Sequence, residues 1–216
     1  MHVAIASPVL VQYDPLLGVE GGAKLAKDLL IGRAGVEDLA TALLAHVADP
    51  GLAADVQQLF EAEEEVGFLC LLNGASVMAF LKHVGQLERH PDTRIAFKAF
   101  HEGRSKFRNM PWWDNSIWLP FDFQRPGTLK DDSVTFIGSA PALLRELATM
   151  QESSSLALGA IPAGYKEMHQ DIAAFYQSGA ELELDEQGIV QWIWRALFDG
   201  AEMAIRSKTA LWAGPG

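Results

Sequence analysis

One cysteine in 216 residues, Cys70, excludes any intrachain disulfide and any multi-cysteine zinc site. It lies in the most apolar run of the chain, a setting for a buried, inert thiol rather than a nucleophile. A reducing cytoplasm suits such a chain. Long hydrophobic runs are missing too. The most membrane-like stretch, 66–81, is shorter than the ~20 residues a span requires, and Asn73 and Ser76 interrupt it. No Lys or Arg occurs in the first eight residues, so a signal-peptide n-region is not expected. Cations are scarce overall: 17 Lys and Arg face 28 Asp and Glu, a net charge of −11, with a pI near 4.9. Binding nucleic acid over a broad face needs a concentrated positive field, as does adsorption to anionic membranes, so both are disfavoured.

Catalytic templates are absent as well. Gly18-Val-Glu-Gly-Gly-Ala-Lys24 has the glycines of a phosphate loop, but Ala23 and Leu25 stand where a Walker loop needs Gly before the Lys and Ser or Thr after it. Gly74-Ala-Ser-Val-Met78 has Met in place of the closing Gly of a nucleophile elbow, and is expected inside a helix instead of on a strand-to-helix turn. His101-Glu102 begins like a zinc-protease helix but lacks the second His four residues on. His83 and His90 are two helical turns apart, about 10.5 Å, too far to share an ion. No metal and no cofactor are expected.

What is present is enough apolar material for a core. The hydrophobic content is 49%, and a chain of this size buries about 70% of its unfolded surface. One globular domain over 1–216 is expected, with 1–22 as an extended or strand-like N-terminal arm split by Pro8. Helical spacing dominates after it. Helices are expected over 23–31, 36–47 and 50–60, with a hydrophobic central helix over 66–87. Pro91-Asp92-Thr93 restarts a helix reaching about Phe107, Gly138-Ser139-Ala-Pro141 opens another, and Tyr165, Met168, Ile172 and Phe175 stripe a further one. From Glu186 to about Leu211 the polar residues Gln191, Arg195, Asp199, Glu202 and Arg206 draw one narrow stripe on an otherwise apolar helix. Prolines 111, 120 and 126 break the pattern between, leaving a short β-hairpin-like element near 117–137. The expected fold is therefore mainly α, a single-domain bundle of about seven or eight helices around the central and C-terminal ones.

Against the acidic background, 82–123 turns basic and then aromatic. Arg94, Lys98, His101, Ser105 and Arg108 step by four, three, four and three, which would place them on one face of a helix. A basic face holding a histidine suits anion binding or acid–base work beside an anion, or plain pairing with the chain's own carboxylates. Trp112, Trp113, Asp114 and Trp118 follow in a proline-punctuated segment, suited to a lid over the core or to a recognition patch. The candidate binding residues are thus Arg94, Lys98, His101, Arg108, Trp112, Trp113, Asp114 and Trp118. The expected function is a non-catalytic cytoplasmic binding protein engaging another macromolecule, of inhibitor or immunity type. The alternative is a small α-helical enzyme or ligand-binding domain for an anionic small molecule, with His101 as acid–base. Another protein is the expected partner. A small anionic ligand or a homodimer through the C-terminal helix is the alternative, with neither nucleic acid nor membrane.

Overall fold

The computed structural model describes residues 2–6, 69–71, 74–111, 115–123, 126–130, 134–166, 184–208 and 210–214. Six strands and four helices occur among them: β1 (His2–Ala6), β2 (Leu69–Leu71), α1 (Gly74–Leu87), α2 (Thr93–His101), β3 (Asn115–Leu119), β4 (Gly127–Lys130), β5 (Val134–Ser139), α3 (Ala140–Ser153), α4 (Glu186–Ser207) and β6 (Ala210–Gly214). The strands form one sheet in the order β2-β1-β6-β3-β5-β4. Only β3 and β5 run parallel; the other neighbours are antiparallel. The expected seven- or eight-helix bundle is thus corrected to a mixed sheet with helices packed against it. The helices expected before residue 66, and that expected around Tyr165–Phe175, lie largely outside the described residues.

Three short segments account for the error, because each reads as helix or arm and folds as strand. Residues 66–87 are not one helix: Leu69–Leu71 pairs with β1, and α1 begins only at Gly74. A strand therefore does precede this helix, but Ser76 sits inside the first turn and not on the connection. The C-terminal helix stops at Ser207, where Lys208 takes a left-handed conformation (φ 52°, ψ 46°). The chain reverses and Ala210–Gly214 enters the sheet between β1 and β3. The N-terminal residues 2–6 are likewise an interior strand, with β2 on one side and β6 on the other. An apolar run of three to five residues carries too little periodicity to separate strand from helix.

The β-rich middle also differs from a simple hairpin. β3 and β5 pair in parallel, from Asn115 opposite Thr135 to Leu119 opposite Ser139. The antiparallel hairpin is β4–β5, because after β3 the chain moves two strand positions outward to β4 and then returns one position to β5. Trp118, Phe136 and Leu211 enter the core, while Ile117, Leu119 and Ile137 at the alternate positions are buried too. A strand with no exposed face belongs in the middle of a covered sheet.

α4 is the spine, as its single polar stripe implies. Val190, Trp192, Ile193, Trp194, Ala196, Leu197, Ala201 and Ala204 are buried. The helix packs on α1, α3, β1, β3 and β6. Its apolar faces are therefore used inside the fold, which removes the basis for the alternative of a homodimer through this helix. Gly200 permits the approach to β6, since a Cβ there would lie 2.9 Å from Leu211 Cδ1. Asp185 caps the helix, accepting from the Gly188 amide at 2.7 Å. Trp194 Nε1 donates to the Leu147 carbonyl at 2.9 Å, tying α4 to α3.

Candidate functional site

α2 starts where Asp92 accepts from the Ile95 amide at 2.9 Å. It ends earlier than its polar pattern implies. Gly103 has φ +68°, the Gly103 amide donates to Phe100 O at 2.9 Å and the Arg104 amide to Ala99 O at 2.8 Å. That pair of bonds is a Schellman cap, which needs glycine at the left-handed position. Arg94, Lys98 and His101 do share a helical face, and all three are exposed. The expected five-residue face stops there. Ser105 is buried, and Arg108 belongs to the following loop.

Most of these cations already have partners. Glu102 lies 3.8 Å from Lys98 and hydrogen-bonds Arg104, whose donation holds its carboxyl below the usual range. The Arg108 guanidinium donates to the carbonyls of Ser105 and Gly103, bracing the loop from within. His101 packs edge-on against Phe97 with centroids 4.4 Å apart. Trp118 is fully buried and donates its indole N–H to Asn109 O at 2.6 Å. Trp112, Trp113 and Asp114 lie outside the described residues. Among the described candidates, Trp118 lies in the core while Arg94, Lys98 and His101 are exposed on α2.

A polar hub that the sequence did not single out lies beneath this loop. Glu146 Oε1 accepts from the Arg108 amide at 3.0 Å and from Asn109 Nδ2 at 2.9 Å, and its Oε2 accepts from the Asn109 amide at 2.8 Å. Asn109 Oδ1 accepts in turn from the Ser139 amide at 2.9 Å. Ser139 caps α3 through the Ala142 amide and donates to Phe121 O at 2.8 Å. Glu88, with a side chain only 7% exposed, holds the other end of the loop. It accepts from Ser105 Oγ at 2.9 Å and from the Lys106 amide at 2.5 Å. Burial, reinforced by the charge of Glu88, pushes the Glu146 carboxyl up to about 7, against the pull of its three donors. The one available signal was position: Glu146 borders the buried stripe Leu143, Leu147 and Met150.

Elsewhere, His83 Nε2 meets Ser154 Oγ at 3.0 Å, joining α1 to the end of α3. Partial burial lowers the His83 pKa. Among the described residues no group of three His, Cys, Asp or Glu is placed to hold a metal ion, and no helix is long and apolar enough to cross a membrane.

A family model described as "Putative DNA-mimic protein" matches residues 114–213. The match runs from just before β3 through β6, so it takes in the parallel strand pair, α3, α4 and Glu146 but not α2. Neither a curated protein nor a solved structure matches the chain. The match corrects the expected function. It carries neither the inhibitor or immunity-type reading nor the small-anion enzyme built on His101. It also removes the support for a small anionic ligand as partner and for leaving nucleic acid out of account.

Proposed function

We propose that this protein presents carboxylates to a DNA-binding protein in place of DNA phosphates. The observation that carries the reading is the coincidence of the family match with charge. Residues 114–213 contain fourteen Asp and Glu against seven Lys and Arg. Duplex DNA carries one negative charge per ~1.7 Å of axis, and the proteins that bind it concentrate Lys and Arg accordingly. A folded surface rich in carboxylates meets the same requirement without bases to read.

The described acids of this segment are mostly committed to the fold. Asp122 and Asp199 pair with Arg145 and Arg195, Asp185 caps α4, Glu186 pairs with Lys82 and Glu146 lies in the hub. Glu152 and Glu202 are exposed. The other seven, Asp114, Asp131, Asp132, Glu167, Asp171, Glu181 and Glu183, lie outside the described residues. On this reading α3, α4 and the sheet are the scaffold, and Glu152 and Glu202 are the described acids that offer the partner contacts.

The test is affinity capture on the immobilised chain from a nuclease-treated extract of the source cells. The expected result is retention of a protein that binds DNA on its own and is released by duplex DNA. Retention only of proteins without DNA affinity, or of a DNA-binding protein that excess duplex fails to release, would refute the reading.

A further inference from the structure

Resting on the reading above, we propose that the loop 156–164 is the apolar anchor of the surface that takes the DNA-binding protein, with Ile161 as the anchoring side chain. Residues 153–165 carry no charge, and 156–164 carry no polar side chain at all. Surface turns ordinarily draw on Asp, Asn and Ser as well as Gly and Pro. This one keeps only Gly159, Pro162 and Gly164. Ala157, Gly159, Ala160, Ile161 and Ala163 are nevertheless exposed. Isolated apolar side chains on a surface are ordinary, whereas a contiguous run of them marks a place where something docks. Of the large hydrophobic side chains exposed among the described residues, Met78, Ile95 and Ile161, only Ile161 lies in the matched segment.

The shape of the loop is set from within. Leu158 and Tyr165 are buried, and the Tyr165 ring stands edge-on to Trp192 with centroids 5.0 Å apart. Ser154 Oγ accepts from the Leu156 amide at 3.0 Å. The Leu158 amide donates to Leu156 O at 2.9 Å, the Ala160 amide to Ala157 O at 3.0 Å and the Tyr165 amide to Pro162 O at 3.2 Å. Gly164 turns the chain at φ +75°. A loop shaped beforehand loses little freedom when a partner covers it.

Charge indicates what that partner is. His83 meets Ser154, and its neighbour Lys82 meets Glu186, so the start of α4 stands beside the start of the loop. Exposed Glu152 flanks the loop on the α3 side, and exposed Asp185 and Glu186 on the α4 side, against Lys82 and Lys166. In sequence the loop is followed, over 166–186, by six acids and a single Lys. An apolar patch edged by carboxylates complements a surface where apolar side chains stand among Lys and Arg, as they do where proteins touch thymine methyl groups or wedge between bases. Carboxylates alone would attract any basic protein and release it as salt rises. A desolvated apolar side chain among them selects one partner and slows its release.

Displacement of a labelled duplex from the captured DNA-binding protein, read by fluorescence anisotropy, tests the anchor separately from the carboxylates. The parent chain should displace the duplex. Ile161→Ser should require roughly 10- to 100-fold more chain, at 50 and at 200 mM salt alike, because a lost apolar contact is not screened. Its urea midpoint should match the parent's, and Ile161→Leu should restore most of the displacement. Glu152→Gln should weaken displacement more at 50 mM than at 200 mM. Ile95→Ser, at a comparably exposed isoleucine outside the matched segment, should change nothing. Displacement by Ile161→Ser equal to the parent's would overturn the anchor and leave the carboxylate reading standing, whereas a parent chain that displaces no duplex would overturn both. A concentration-dependent dimer of the parent chain that Ile161→Ser dissolves would assign the loop to a second copy, and would overturn the anchor too.

Discussion

Asn109→Asp exchanges one heavy atom and inverts the chemistry of the hub. Asn109 Nδ2 now donates to Glu146 Oε1 across 2.9 Å while its Oδ1 accepts from the Ser139 amide, also at 2.9 Å. Aspartate keeps the second bond but sets a carboxylate oxygen against Glu146 where the first one was. An uncompensated charge in such a place costs about 3–5 kcal/mol, unless the two carboxyls share a proton. Asn109→Ala is the control. It loses both bonds and removes the side-chain acceptor of a buried amide, at about 1–3 kcal/mol, but adds no charge. Urea unfolding followed by tryptophan fluorescence at pH 8 should therefore rank Asn109→Asp below Asn109→Ala. At pH 5 the shared proton should close most of that gap. An Asn109→Asp protein within about 1 kcal/mol of the parent at pH 8, or a gap unchanged at pH 5, would refute the reasoning.

Four further outcomes follow from the same structure. Glu146 is raised above its unfolded value, so its contribution is fully present below 4.5 and is lost as pH rises through about 7. Unfolding titrations should show the parent losing roughly 2–3 kcal/mol from this group between pH 5 and pH 8, and Glu146→Gln should flatten that loss. His83 acts in the opposite sense, because its lowered pKa removes stability as pH falls below 6.5, and His83→Gln should separate the two slopes. Gly138→Ala would bring a Cβ to 2.6 Å from Trp118 Cδ1 and 2.8 Å from Phe136 Cε1. Overpacking of that kind costs about 1–3 kcal/mol, visible as a lower urea midpoint and a shifted Trp118 indole resonance. Lys208→Gly relieves a left-handed non-glycine residue at the end of α4, and should add about 1 kcal/mol of stability, read as a higher urea midpoint.

The long elements were legible because their periodicity is long. The polar stripe from Gln191 to Arg206 implied a helix packed on nearly every side, and α4 is that helix. Asp92 and Ser139 marked helix starts through chemistry that depends on neighbours within three residues. A strand-like arm and a β element near 117–137 were expected, but two strands were illegible for the complementary reason. Leu69–Leu71 and Ala210–Gly214 each abut a helix, so their apolar residues read as its continuation, and only pairing with distant β1 makes them strands. The basic face was overextended because Ser105 and Arg108 keep helical spacing past Gly103, whose left-handed cap interrupts the register. The hub could not be read at all. Its members Glu88, Asn109, Ser139 and Glu146 are ordinary polar residues, and only the tertiary fold brings them within hydrogen-bonding distance.

The central claim is that a DNA-binding protein takes this chain and DNA on the same surface. The most direct measurement is fluorescence anisotropy of a labelled duplex bound to the captured DNA-binding protein, titrated with the purified chain. The account predicts full displacement of the duplex, with an apparent affinity that falls steeply as salt rises from 50 to 200 mM. A stable ternary complex, in which the chain binds and the duplex stays at full anisotropy or above, would contradict it.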